Sequence, residues 1–349
     1  MSNSKLAEVM GFPGGSKTRV DKAGDAIRQQ TSDEECLKII DEWRQAHREV
    51  LNNFNALLRA RVKKFDKEVK VAQRQKKMKT ICNKLTREKR LRLSQMDDVA
   101  GMRLIFRDTK DLREFRALME REKRFMHQRH NQEDSYDYIK SPKPDGYRGV
   151  HDVYKYSPKQ ESHLRNLKGL RLELQYRTDL QNEWATTNEI IGQVTNSKPK
   201  FKQGDARYQN VMLLASELLA RKYEPGYPNN KLKDLNNIDL VQEFKARNRD
   251  LDLTSLLREL EVAKGKGPIH GKKNAILILP SSNPLEIKWY DSGVNARKAL
   301  FDLEKSRPDD DIVLVKADTF ESMRTSYKNY FHDSHAFLKL INEACESLR

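Results

Sequence analysis

The most informative part of the sequence is Asp137-Tyr-Ile-Lys-Ser-Pro-Lys-Pro-Asp-Gly-Tyr-Arg-Gly-Val-His151, followed twenty residues later by Arg171-Leu-Glu-Leu-Gln-Tyr-Arg-Thr178. In the second stretch polar and apolar residues alternate, as in a strand that buries one face. The polar residues therefore share one face of the predicted strand: Arg171, Glu173, Gln175 and Arg177. A loop rich in Pro and Gly beside such a strand indicates a ligand site at a sheet.

The turn that begins at Lys143 brings together residue types that handle nucleotides. Lys143 is a cation suited to phosphate, Gly146 gives the backbone freedom, and Tyr147 offers a ring that we expect to be exposed. The carboxylate of Glu173 follows on the strand. These groups can hold a base, bind phosphates and deprotonate a hydroxyl. For the strand alone, the alternative is a solvated outer face with incidental charges.

Four motifs in order resemble those of the synthetase domain of RelA/SpoT-type alarmone synthetases. Arg74-x-Lys-x-x-x-Thr-Ile-x-x-Lys-Leu85 is similar to the family's ATP-phosphate motif, and Asp98-Val-Ala-Gly-Met-Arg-Leu-Ile105 is similar to its Asp-Ile-Ala-Gly-x-Arg motif. The other two are the segment from Tyr138 to His151 and the Glu-x-Gln-x-Arg-Thr pattern that ends at Thr178. Four ordered motifs are far more specific than one short pattern.

The resemblance implies transfer of the β,γ-diphosphate of ATP to a ribose 3′-hydroxyl, with AMP as the leaving group. It implies that Glu173 is the general base, that Asp98 and Glu173 bind Mg²⁺, and that Tyr147 stacks on the base of the acceptor. The residues implied to bind the ATP phosphates are Arg74, Lys76, Lys84 and Arg103. The residues implied to bind the acceptor are Lys143, Tyr147, Arg148, His151, Gln175 and Arg177.

Two departures from the family pattern bear on the acceptor. Asp145 stands where these synthetases usually carry Asn before Gly-Tyr, and Gln181-x-x-Trp-Ala-x-x-x-Glu189 replaces the common Ala-Glu-His ending. This ending, with a long C-terminal extension, resembles the toxic small synthetase subgroup. Several members of that subgroup pyrophosphorylate the 3′ CCA end of tRNA and halt translation. The resemblance therefore favours tRNA as acceptor, with GDP or GTP as the alternative.

Positive charge is concentrated in one short region. The 349 residues contain 67 Lys plus Arg against 51 Asp plus Glu, a net charge of +16. Residues 59–92 contain fifteen Lys or Arg and three acids, so this region alone carries +12. A triphosphate does not need so many cations, and a dense basic stripe is typical of nucleic-acid binding. The alternative is a solvated, charged face of a long helix.

Hydrophobic periodicity predicts an α/β fold. We expect helices within residues 20–90, strands at 102–107, 151–156 and 170–176, and helices at 112–125, 180–194, 210–223 and 240–262. This is a mixed-sheet, nucleotidyltransferase-like synthetase domain with flanking helices, assigned to residues 1–263. The Gly/Lys-rich residues 264–274 are expected to form a flexible joint. Residues 275–349 are predicted to form a small α/β domain in the order β-β-α-β-α.

The C-terminal residues 275–349 carry ten Lys or Arg and twelve acids, a net charge of −2, so they could dock on a basic catalytic surface. Their arrangement resembles fused toxin–antitoxin synthetases of phage defence, in which a C-terminal domain restrains the toxic domain until a phage protein binds. Tyr327 and Tyr330 are similar to that family's Tyr-x-x-Tyr neutralising motif, and at this spacing they share one helix face. The alternative is that both rings pack in their own small core.

Composition and short motifs argue against several classes of protein. The three cysteines, Cys36, Cys82 and Cys345, are scattered without metal-ligand spacing, which indicates neither disulfides nor zinc and fits a reducing cytoplasm. No stretch approaches the roughly 20 apolar residues of a membrane span. The P-loop-like residues 11–18 lack a preceding apolar strand, so we interpret Ser16 or Thr18 as a helix N-cap.

These observations lead to one main hypothesis and two alternatives. The main hypothesis is an autoinhibited, cytoplasmic, ATP-dependent pyrophosphokinase toxin that acts on the tRNA 3′ end, with a phage structural protein as activator. The first alternative is a (p)ppGpp synthetase that uses GDP or GTP. The second is a catalytically idle RNA-binding or phage-sensing module. Retention of Asp98 and Glu173 argues against the idle module, because such a module has no chemical need for them.

Overall fold

A computed structural model describes residues 11–65, 67–121, 126–195, 205–259, 274–280, 285–308, 310–316 and 333–349. The helices in these ranges are α1 (Lys17–Gln29), α2 (Glu34–Phe65), α3 (Met78–Arg87), α4 (Thr109–Arg121), α5 (Asp179–Val194), α6 (Ala206–Tyr223), α7 (Asn237–Leu251), α8 (Leu253–Glu259), α9 (Gly293–Ser306) and α10 (His335–Ser347). In the described part of the chain, no helix is both long and apolar enough to cross a membrane.

The strands form two sheets. They are β1 (Val69–Gln75), β2 (Ala100–Phe106), β3 (Gln128–Arg129), β4 (Val150–Lys155), β5 (Arg171–Thr178), β6 (Asn274–Leu279), β7 (Glu286–Tyr290) and β8 (Asp311–Lys316). The first sheet is mixed and has the order β1-β2-β5-β4-β3, and the second has the order β7-β6-β8 with antiparallel pairs. The predicted α/β class with a mixed sheet is confirmed.

The chain divides into two compact units. The first unit contains residues 1–104, 114–136 and 151–175, and the second contains residues 105–113, 137–150 and 176–349. The first unit thus holds α1 to α3 and most of the five-stranded sheet, whereas the second holds the turn before β4, the helices from α5 onward and the three-stranded sheet.

Local sequence explains where several helices begin. The Ser16 side chain accepts from the Arg19 backbone N–H at 3.1 Å and caps α1, as the sequence predicts. Thr178 and Gln181 form a capping box at the start of α5, with the Thr178 side chain bonded to the Gln181 backbone and the Gln181 side chain bonded to the Thr178 backbone. This capping box fixes the exit of the chain from β5 into α5.

Most predicted elements of the first 259 residues are confirmed to within a few residues, with two corrections. The sequence predicts helices and no strand within residues 20–90, but Val69–Gln75 form strand β1 at the edge of the sheet. The sequence also predicts one helix over 240–262, but Asp252 adopts φ +45°, ends α7 and separates it from α8. An Asp tolerates the left-handed region better than most residues, which explains the break.

The C-terminal residues contribute to three apolar clusters within the second unit. In the three-stranded sheet, Ile276 and Ile278 pack with Leu300 of α9, and Ala275 and Leu277 belong to a cluster on the other face. The last helix, α10, does not join these clusters: Phe337 and Ile341 are buried in one core with Trp184, Leu214 and Leu218. A separate domain at 275–349 stays a prediction, and the joint at 264–273 lies outside the described residues.

Candidate active site

In the first unit, two side chains hold the carboxylate of Glu173 on β5. His151 Nδ1 lies 2.8 Å from Glu173 Oε1, and Gln175 Nε2 donates to Glu173 Oε2 at 2.7 Å. The alternation predicted for this strand is confirmed, because Leu172 and Leu174 are fully buried while Glu173 keeps 17% of its side chain exposed. The carboxylate is therefore oriented and still reachable, as a general base must be.

Asp98 lies two residues before β2, and each of its carboxylate oxygens is paired with a lysine. Lys76 Nζ lies 2.6 Å from Oδ2, and Lys84 Nζ lies 3.1 Å from Oδ1. Lys76 directly follows β1, where its backbone N–H donates to Val99 O at 2.9 Å, and Lys84 comes from the last turn of α3. Two predicted phosphate-binding cations and the predicted metal ligand thus lie together.

The carboxylates and cations of the first unit share one electrostatic site. Burial would raise the pKa of Asp98, but Lys76 and Lys84 outweigh burial and hold this pKa below its ordinary value, while the charge of Glu173 acts to raise it. Burial also lowers the pKa of Lys76, which Asp98 opposes, whereas Lys84 and Arg74 lower it further. Asp98 is therefore kept ionised, and Arg74 and Glu173 lie close enough to act on this cluster.

The remaining ATP-motif cations lie on the neighbouring strands. Arg74 is an exposed residue of β1, and Arg103 is a half-buried residue of β2 between the buried Met102 and Leu104. The four side chains implied to bind ATP phosphates therefore come from β1, the residue that follows it, α3 and β2 of one unit.

The turn before β4 is held by its own backbone. Gly146 has φ +93°, and its N–H donates to Lys143 O at 2.9 Å. A Cβ at Gly146 would lie 3.1 Å from Leu213 Cα, so the position requires glycine. Asp145 Oδ1 accepts from the Tyr147 N–H at 3.0 Å, an Asx turn. An Asn could offer the same oxygen, so the departure at Asp145 preserves the turn.

Two cations flank the Tyr147 ring within the second unit. Lys143 Nζ lies 5.1 Å from the centre of the Tyr147 ring and 4.1 Å from that of Tyr138, and Arg177 Cζ lies 5.1 Å from the Tyr147 ring centre. The expectation of an exposed ring is wrong, because Tyr147 is only 8% exposed. Arg177 is also buried instead of lying on the open face of β5. Base stacking by Tyr147 stays a prediction.

Arg148, also implied to bind the acceptor, lies in a buried ion pair. Its Nη2 donates to Glu217 Oε2 at 2.9 Å, and its Nη1 donates to Tyr227 O at 2.8 Å. Glu217, fully buried on α6, also accepts from Arg221 Nε at 3.0 Å and from the Asn229 N–H at 2.9 Å. These contacts anchor the turn and the segment after α6 to one helix, so Arg148 has a structural role here, and its binding role stays a prediction.

Several residues of this arrangement were missed from the sequence. Tyr138 was quoted only as a motif position, although its ring lies against the Lys143 ammonium. The sequence does indicate a buried ion pair at Glu217. It is the one acid in the apolar run Val211–Ala220, where an ionised side chain needs a partner. Asn229, which donates to Lys143 O at 2.8 Å, lies 86 residues away in a polar loop and offered no signal.

The first unit contains carboxylates of the kind that bind Mg²⁺. Among the residues that the structure describes, no group of three or more His, Cys, Asp or Glu is arranged to hold a metal. Magnesium, however, typically takes one or two protein carboxylates and completes its shell with water and phosphate oxygens. Asp98 and Glu173 fit that requirement, because both are carboxylates of one electrostatic site.

The basic region is spread over several elements of the first unit. Its exposed cations within the described residues are Arg59, Lys63, Lys64, Lys67, Arg74, Lys79, Arg87, Lys89, Arg90 and Arg92. They belong to the end of α2, to the link between α2 and β1, to β1, to α3 and to the segment after α3. A single charged helix face, the alternative considered from the sequence, does not describe this distribution.

The predicted regulatory residues Tyr327 and Tyr330 lie outside the described residues. Trp184, quoted for the toxic subgroup's ending, is a core residue whose Nε1 donates to Met212 O at 2.7 Å. Its presence is therefore explained by packing in the second unit.

Comparison with solved structures finds small alarmone synthetases. The chain is 23% identical to small alarmone synthetase 1 from Bacillus subtilis, covering 53% of this chain and 92% of that one, with a TM-score of 0.44. The same enzyme bound to its product pppGpp gives 22% identity over 53% and 94% of the two chains, with a TM-score of 0.45. A GTP pyrophosphokinase family protein from Streptococcus pneumoniae is 19% identical, over 62% of this chain and 97% of that one, with a TM-score of 0.41.

The family comparison concerns the region that contains the four motifs. No curated protein sequence matches the chain significantly. A family model described as a region found in RelA/SpoT proteins matches residues 73–191, which include the carboxylates and cations described above from Arg74 to Arg177. Residues 73–191 of the chain therefore carry the region found in RelA/SpoT proteins.

Proposed function

We propose that the chain transfers the β,γ-diphosphate of ATP to the 3′-hydroxyl of tRNA and thereby blocks translation. The observation that carries the transfer chemistry is the Glu173 carboxylate, oriented by His151 and Gln175 in one electrostatic site with Asp98 and its two lysines. A base, fixed cations and a carboxylate for Mg²⁺ are the parts that diphosphate transfer requires.

In this proposal, Glu173 accepts the proton of the attacking 3′-hydroxyl. The acceptor oxygen forms a bond to the β-phosphorus, the bond from that phosphorus to the α,β-bridging oxygen breaks, and AMP leaves with the electron pair. Lys76, Lys84, Arg74 and Arg103 neutralise the phosphates as charge moves onto the leaving group. Mg²⁺, when bound at the carboxylates, supplies further positive charge to the triphosphate.

The identity of the acceptor is tested by competition. The full chain is incubated with γ-labelled ATP and either bulk tRNA or a mixture of GDP and GTP. We expect label on tRNA, and loss of that label when the tRNA 3′ diol is first oxidised with periodate. Label in a guanosine nucleotide instead of tRNA would support the (p)ppGpp synthetase alternative.

The tRNA acceptor is supported by the ten exposed cations of the basic region. We predict that Lys63→Glu with Lys64→Glu lowers tRNA affinity about tenfold at low salt and reduces the salt slope of log K by about 2, because two phosphate contacts are lost. ATP binding should be unchanged. The matched control reverses two exposed lysines of α9, Lys298 and Lys305. An equal loss of affinity in the control would show that only net charge matters.

We further propose that residues 275–349 form a regulatory domain that inhibits transfer through Tyr327 and Tyr330. Tethering allows weak contacts to inhibit, since effective concentrations reach the millimolar range. An activator, proposed to be a phage structural protein, must bind the open state more tightly than the closed one. Deleting the domain is a poor test, because α10 places Phe337 and Ile341 in the core with α5 and α6.

Substitution of the tyrosines avoids that difficulty. We predict that Tyr327→Ala with Tyr330→Ala raises basal transfer by at least about tenfold and makes expression toxic. The two rings proposed to inhibit transfer are removed, while α10 stays in its core. The control is Asn329→Ala, because positions two from Tyr327 and one from Tyr330 do not share a face with them at helical spacing. Unchanged basal transfer in a folded, ATP-binding double variant would remove the inhibitory role.

A further inference from the structure

In the Asp98 cluster, the observed partners of three side chains differ from the partners that the proposed function requires. Both oxygens of Asp98 are paired with ammonium groups, at 2.6 Å to Lys76 and 3.1 Å to Lys84. The side chains of Asp98, Lys76 and Lys84 are 25%, 14% and 21% exposed, so the pairs are partly shielded from water. The proposed function requires the lysines on phosphate oxygens and the carboxylate on a divalent cation.

In the arrangement observed, the lysine–carboxylate pairs compete with binding of phosphate by the lysines and of a cation by Asp98. A magnesium ion binds carboxylate oxygen at about 2.0–2.1 Å and tolerates little distortion. Two ammonium groups on that carboxylate take one acceptor site of each oxygen and repel a dication placed beside them. A divalent cation therefore binds Asp98 directly much more weakly while the lysines stay in place.

We propose that Lys76 and Lys84 hold Asp98 closed to divalent cations until the phosphates of ATP draw the lysines away. The inference deepens the proposed function and rests on it. The lysines exchange one set of anionic oxygens for another, and the released carboxylate becomes a metal ligand only when the triphosphate is in place. Nucleotide and divalent cation then bind cooperatively, and by linkage each raises the affinity for the other.

This exchange predicts an unusual effect of removing the metal ligand. In EDTA, with no divalent cation present, Asp98 only competes with phosphate for the lysines. Asp98→Asn should therefore bind the α,β-methylene analogue of ATP more tightly than wild type, by about tenfold, which corresponds to about 1.4 kcal/mol. Titration calorimetry on the full chain measures this directly, and the analogue cannot be cleaved at the reacting bond.

The neighbouring residue provides the matched control. Asp97 carries the same charge one position away, but its partner is Arg171, at 2.7 Å, which is not a predicted phosphate ligand. Asp97→Asn should change the affinity for the metal-free analogue less than twofold. An equal gain in affinity for the analogue in both variants would show that only net charge matters and would overturn the proposal. Unchanged affinity in Asp98→Asn would also overturn it.

A second measurement uses Mn²⁺ alone as the probe and needs no nucleotide. Spin resonance of free Mn²⁺ should show weak binding to wild type and at least about tenfold tighter binding to Lys76→Met, lost again when Asp98→Asn is added. Lys76→Arg, which keeps the cation, should resemble wild type, and Lys84→Met gives an independent variant if Lys76→Met fails to fold. Equal Mn²⁺ affinity in wild type and in folded lysine variants would overturn the proposal.

The two measurements separate this inference from the proposed function. A wild-type chain that binds the analogue neither with nor without Mg²⁺ would contradict ATP as donor, whereas the Mn²⁺ result would still decide whether the lysines close Asp98. Normal binding of the analogue with no gain in Asp98→Asn would contradict the exchange alone.

Discussion

Glu173→Gln is expected to lower diphosphate transfer at least about 100-fold while leaving the melting temperature within a few degrees of wild type. Gln keeps the volume of Glu and can still meet His151 and Gln175, but it cannot accept the proton of the attacking hydroxyl. The initial rate of label transfer and a thermal melt of the same preparation measure the two effects.

The control for this variant is Glu114→Gln, which removes a carboxylate from an exposed ion pair with Lys67 at the surface of the first unit. Such pairs contribute little, so both rate and stability should stay near wild type. Transfer by Glu173→Gln within a few-fold of wild type would remove Glu173 from the role of base.

Glu217→Gln is expected to destabilise the second unit by about 3–5 kcal/mol, because the buried guanidinium of Arg148 and the partly buried guanidinium of Arg221 both lose the charge of Glu217. The matched control is Glu243→Gln on α7, which breaks an exposed pair with Arg247 and should cost about 0.5 kcal/mol or less. Urea unfolding with a probe in the second unit, such as Trp184 fluorescence, gives both values.

A loss below about 1 kcal/mol in Glu217→Gln would contradict the structural role assigned to the buried pair. In that case Arg148 would be free for the binding role that the motif implies. The experiment therefore decides between a structural and a binding role for Arg148.

The strand that carries Glu173 was predictable because its chemistry and its periodicity agree. Leu172, Leu174 and Tyr176 alternate with polar residues, and one buried face requires that pattern. Strand β1 was not predictable in the same way. Only Ala72 of its seven residues is buried, so an edge strand rich in Lys, Gln and Arg shows no alternation of apolar side chains.

The motif arginines show where sequence reasoning stops. Arg148 and Arg177 look like ligands for phosphate in any motif, and the sequence does not show that both are buried, with Arg148 on Glu217 and Arg177 on Tyr147. The partner of Arg148 lies 69 residues away on a helix, and a single sequence does not reveal such a pairing. Similarly, chain order does not show that the apolar face of α10 packs with α5 and α6.

The central claim, diphosphate transfer from ATP, is tested most directly by counting products. The full chain is incubated with tRNA, Mg²⁺ and ATP labelled at the α- or the γ-phosphate, and AMP, ADP and acceptor-bound label are quantified. We predict one AMP for each γ-label on the acceptor, and neither product with Glu173→Gln. Formation of ADP with acceptor-bound label, or AMP without any labelled acceptor, would contradict the claim.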